Sequence, residues 1–92
     1  MKTYLIAYDI NSPKTDEVYQ RVSDYIKSYG NWAKPLESLW LIKTDRDLSI
    51  VRDQLLNLCD QNDEILVVDI TGDGWATFGI DSEVTDWMKN KL

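Results

Sequence analysis

The chain has no histidine among its 92 residues and only one cysteine. Lack of histidine removes the commonest general base and the commonest zinc ligand, so any catalysis would rest on carboxylates, hydroxyls or a hard metal ion. A lone cysteine closes no disulfide within the chain, and Cys59, inside an apolar helical pattern, reads as a small core residue. No apolar run approaches the roughly 20 residues that span a bilayer. The start Met1-Lys2-Thr3-Tyr4-Leu5 shows no charged-then-apolar leader, so the cytoplasm is the expected location and no membrane partner is expected. A basic excess is missing too: ten Lys and Arg face sixteen Asp and Glu, a net charge of −6. Nucleic-acid binders draw much of their affinity from neutralising phosphates, so this balance disfavours such a partner. There is also no Gly-rich phosphate loop, no paired-cysteine motif and no serine beside a histidine.

What remains is the pattern of one small α/β domain, residues 1–92, with 74–92 as a C-terminal extension. Lys2 to Ile10 reads as a strand closed by Asn11-Ser12-Pro13, with Ser12 as cap and Pro13 as first residue of a helix. Val18, Val22, Tyr25, Ile26 and Tyr29 form one face of that helix, and Gly30 supplies the stop. Asn31 to Pro35 reads as a Pro-broken edge strand, and Glu37 to Lys43 as a full strand. Thr44 and Asp47 resemble a capping pair before a second helix that carries Leu48, Val51, Leu55, Leu58 and Cys59 and ends near Asn62. Glu64 to Thr71 is a further strand. After the Gly72-Asp73-Gly74 turn, Trp75 to Ile80 has strand character. Asp81 or Ser82 caps a short helix with Val84, Trp87 and Met88.

The order β-α-β-β-α-β is that of a ferredoxin-like (α+β) domain with a four-stranded antiparallel sheet, here followed by a C-terminal strand and short helix. Its helix-free face should be wet and polar. Instead Leu5 and Ala7 back Tyr4, Ile6 and Tyr8; Leu39 and Leu41 oppose Trp40 and Ile42; Ile65 and Val67 oppose Leu66, Val68 and Ile70. Something covers the open side. The extension from Trp75 to Leu92 is one candidate, and a second copy of the chain, forming a homodimer, is the favoured one.

Asp9 is the most suggestive position for chemistry, because a carboxylate ending an apolar strand needs a partner. Near a dimer axis, Asp9 from each chain can meet and hold one Mg²⁺, a cation that takes few carboxylates and several waters, and such a metal activates water against a phosphodiester. The structural alternative is that Asp9 accepts hydrogen bonds from Asn11, Ser12 or the helix N-terminus. Asp69 and Asp73 flank a Gly-rich turn, where aspartate is common. Ser38, Lys14 and Arg21 are the weaker candidates for holding a phosphate-bearing substrate. The aromatic residues Tyr4, Tyr8, Trp32, Trp40, Trp75, Phe78 and Trp87 lack interleaved basic residues, so packing explains them better than base stacking.

The strand ending Tyr8-Asp9-Ile10, the helix running to Tyr29-Gly30 and the strand Glu37-Ser38-Leu39-Trp40 together resemble the CRISPR-associated protein two family, in particular its divergent SinR-like branch. The virulence-associated protein D ribonucleases share that fold. The resemblance covers most of the chain. It implies a ferredoxin-like homodimer in phage defence, with Asp9 at the dimer interface as the catalytic, metal-binding carboxylate and Ser38 at the serine of the family's strand motif. Some members are metal-dependent nucleases and others scaffolds. This chain departs from the pattern at Lys14-Thr15-Asp16-Glu17, where arginines are usual, and at Pro35-Leu36-Glu37, where a glutamine is. A non-catalytic, protein-binding dimer, in phage defence or a toxin–antitoxin setting, is therefore the alternative to a nuclease of RNA or DNA.

Overall fold

The computed structural model describes residues 1–11 and 15–92; the expected Ser12–Pro13 helix start and Lys14 lie outside the described residues. The elements are β1 (Lys2–Asp9), α1 (Thr15–Lys27), β2 (Trp32–Leu36), β3 (Leu39–Thr44), α2 (Leu48–Leu56), β4 (Glu64–Asp69) and α3 (Ser82–Lys91). The four strands form one antiparallel sheet in the order β2-β3-β1-β4, which leaves β2 and β4 at its edges.

Alternation along the strands sends one set of side chains to a helix-covered face. Tyr4, Ile6 and Tyr8 of β1 stand beside Trp40 and Ile42 of β3, with Tyr4 paired to Ile42 and Ile6 to Trp40. Val18, Val22 and Ile26, spaced every four residues on α1, and Val51 and Leu55 on α2 close over them, all buried in one cluster. Within it, the Trp40 indole Nε1–H donates to the Tyr8 hydroxyl at 2.9 Å, so two large aromatic residues bury with their polar ends satisfied. Asp16 and Glu17 in the first turn of α1 and Lys27 in its last suit the helix dipole. The chain leaves α1 through Gly30, whose φ of 81° is a value L side chains rarely adopt.

Several boundaries differ from the sequence reading. Glu37 and Ser38 are not strand residues but the two-residue turn between β2 and β3, enclosed by the Leu36–Leu39 pair. Neither has positive φ, so this is not a primed hairpin turn, and a register irregularity between Ala33 and Leu36 accompanies it. Thr44 ends β3 rather than capping α2, and its hydroxyl accepts from the Arg46 N–H at 3.2 Å. Asp47 occupies the N-cap without a side-chain cap bond. The second helix stops at Leu56, well before Asn62. Leu58 N–H turns back to the Leu55 carbonyl and Cys59 N–H to that of Leu56, which tightens the end into three-residue turns. Cys59 is half-buried against the core, as expected of a packing residue; burial first, and then the Asp63 charge, push its thiol pKa up.

The larger correction concerns Trp75 to Ile80, which is not a strand. Residues 70–81 form an irregular strap. A strand needs an edge to pair with, and this segment instead leaves the sheet at Asp69 and crosses its second face between Gly74 and Gly79. Its start is clasped. The Thr71 hydroxyl accepts from Thr3 N–H at 2.8 Å and donates to Asp69 Oδ1 at 2.6 Å, while Ile70 N–H donates to the Thr3 carbonyl. The final helix forms where expected, with Asp81 at its N-cap and Met88 buried, and it packs on β2. No helix among the described residues is long and apolar enough to cross a membrane.

Candidate functional site

The second face of the sheet carries Leu5, Ala7 and Asp9 from β1, Leu39 and Leu41 from β3, and Glu64, Leu66 and Val68 from β4. The strap and α3 cover the part around Leu41, which is buried. Toward the other end the face is bare, with Leu66 57% and Leu36 55% exposed. There an open depression of about 510 Å³ is lined by Ala7, Tyr8, Asp9, Leu36, Ser38 and Leu39, and by Glu64 to Leu66.

The structure thus brings Asp9 and Ser38 to one depression. It adds Glu64, which the sequence reading passed over. Glu64 is the register partner of Asp9, so the two exposed carboxylates stand directly opposite each other on one face. Directly opposed residues have Cβ atoms about 5 Å apart, and like charges so placed repel. Only the pairing register reveals this, since 55 positions separate the two in sequence.

The end of β1 is held by neighbours rather than by Asp9 itself. Asn11 N–H donates to Asp63 Oδ1 at 2.7 Å, its side-chain amide donates to the Asn62 carbonyl at 3.1 Å, and Asp63 Oδ2 accepts from Asp60 N–H at 2.8 Å. Asn11 therefore binds Asp63, and among the described residues the Asp9 carboxylate shows no hydrogen bond or ion pair. Tyr8, next to Asp9, faces the other way; burial raises its phenol pKa, opposed by the Trp40 hydrogen bond.

The remaining candidates are not gathered here. Arg21 projects from α1, on the helical side of the sheet, where its charge is felt by Cys59. Asp69 is engaged in the Thr71 clasp and faces Lys2 at 3.9 Å, and these hydrogen bonds hold its carboxyl below the usual carboxylate range. It forms no acidic pair with Asp73, which lines a separate groove under the strap. Tyr4, Tyr8 and Trp40 are core residues, so the bare face offers aliphatic side chains rather than a base-stacking platform.

As a metal site, the Asp9–Glu64 pair suits Mg²⁺, which binds through one or two carboxylates and keeps several waters. No cluster of three or more such ligands occurs among the described residues. No family model matches the chain, and no curated protein matches it.

Proposed function

We propose that the chain acts as a homodimer paired through the second face of its sheet, and as a metal-dependent endonuclease with Asp9 and Glu64 of each protomer holding Mg²⁺ at the end of that face. The observation that carries the reading is the opposed Asp9–Glu64 pair beside Ser38 at the rim of a bare apolar surface. Two carboxylates facing one another across a ladder repel unless a cation lies between them. A bound Mg²⁺ would supply a Lewis acid and an activated water for phosphodiester hydrolysis. Ser38, which lines the same depression, would donate a hydrogen bond to a phosphate oxygen.

The ferredoxin-like reading and the similarity to the CRISPR-associated protein two family draw support from the order β2-β3-β1-β4 and from the core cluster, which places α1 and α2 on one face. The acidic balance supports a second reading, a non-catalytic dimer that binds another protein. Among the described residues no lysine or arginine lines the Asp9 depression, which gives a nucleic acid no counter-charge from them.

The purified chain incubated with RNA and with DNA, with and without Mg²⁺, separates the two. The endonuclease reading expects cleavage that requires Mg²⁺ and is lost in Asp9→Ala. Cleavage unchanged by Asp9→Ala overturns the Asp9 mechanism, and no cleavage of either substrate overturns the endonuclease reading in favour of the second.

A further inference from the structure

The covered part of the second face is not filled. Between the sheet and the strap lies a groove of about 450 Å³, with Leu5, Leu36, Leu39, Leu41 and Ile70 among its walls and Asp73 as the one charged side chain among its described lining residues. At its rim stands Phe78, 100% exposed, a large aromatic ring that the chain itself buries against nothing. Gly79, which follows it, has a φ of 76°, a turn that any other residue would strain to adopt and that sets how Phe78 is presented. A projecting ring and an apolar hollow therefore lie side by side on one surface.

We infer that the groove is the seat for Phe78 of a second copy of this chain, so that two protomers exchange these rings across a two-fold axis. The inference rests on the homodimer proposed above and names the contact that holds it. A surface carrying both projection and hollow is self-complementary under two-fold symmetry: each protomer offers what the other lacks. The area is in proportion. Two phenylalanines buried at about 150–250 Å² each supply roughly 300–500 Å² of the roughly 1,200–2,000 Å² that a specific interface needs. The bare residues Leu36, Leu66 and Val68 continue the same apolar surface. The mostly apolar lining of the groove suits an aromatic ring.

The test is sedimentation of the wild-type chain beside Phe78→Asp, which removes the ring, and Leu39→Trp, which fills the hollow, with circular dichroism verifying the fold of each. Leu36→Trp replaces the second variant if Leu39→Trp does not fold. Each variant alone is expected to be monomeric where the wild type is dimeric, with dissociation constants raised roughly 30-fold or more, as for a central aromatic anchor. Mixed together, they are expected to form a heterodimer of intermediate affinity, because the ring of Leu39→Trp meets the intact hollow of Phe78→Asp. A wild-type monomer overturns the homodimer itself. A wild-type dimer that both substitutions leave intact overturns only the seat for Phe78. Variants that stay monomeric when mixed overturn it as well.

Discussion

The two faces of the sheet draw on similar apolar residues, yet they do different work. On the helical face Ile6 and Ile42 are wholly buried and Trp40 is 1% exposed, its indole N–H answered by Tyr8. On the other face, Leu36, Leu66 and Val68 remain exposed, and the row ends in two carboxylates. The difference is in what covers them. The first face is sealed by two helices of the same chain, so its burial contributes to folding. The second is roofed in part by an irregular strap, so much of its apolar area stays uncovered by the chain itself. Hydrophobic content alone does not say which role a strand face plays.

Matched truncations break or sharpen this contrast. Ile6→Ala should lower the unfolding free energy by about 2–5 kcal/mol, as for a deleted core side chain, while Leu66→Ala should change monomer stability by about 0.5 kcal/mol or less. Urea titrations at high dilution measure both, and equal losses would erase the distinction between the faces. Trp40→Phe keeps most of the ring but leaves the buried Tyr8 hydroxyl without its donor, and about 1–3 kcal/mol should be lost. The double variant with Tyr8→Phe should recover much of that.

A smaller effect belongs to the strap. The Asp69 pKa lies below its ordinary value of 3.8, so the clasp at Thr71 favours the charged form. Its contribution is complete above about pH 4 and fades as acid protonates the folded carboxylate. Asp69→Asn should therefore flatten the acid limb of the stability profile while leaving the neutral-pH curve shape intact, and hydrogen-exchange protection over residues 70–80, relative to the intrinsic rate at each pH, should fall in wild type below about pH 4. The smallest change is expected at the far end of the open face. Asp9→Asn relieves the repulsion from Glu64 and should raise stability by about a few tenths of a kcal/mol in chelator. The same substitution should abolish any rise in melting temperature that Mg²⁺ produces in the wild type.

Much of the helical face was readable from residue spacing. The sets Tyr4-Ile6-Tyr8 and Val18-Val22-Ile26 are periodic, and the structure buries all six. The apolar character of the second face was legible for the same reason. Three features were not. Trp75 to Ile80 has the composition of a strand, but composition cannot supply the edge it would pair with. Ser38 falls in a turn because the hairpin closes on the Leu36–Leu39 pair, a detail of register. Glu64 meets Asp9 only through the β1–β4 ladder, where a one-residue slip would carry it to the opposite face.

The edges of the sheet carry a last consequence. One edge strand, β2, contains Lys34 and Pro35; the other, β4, is six residues long and begins and ends on a carboxylate. Proline withholds a ladder donor, and charges on a short edge discourage a neighbouring strand. The sheet can be stacked but not lengthened. If copies meet through its flat side, as proposed, they would reach a closed pair and stop, and the uncovered aliphatic surface would be consumed without leading to fibres.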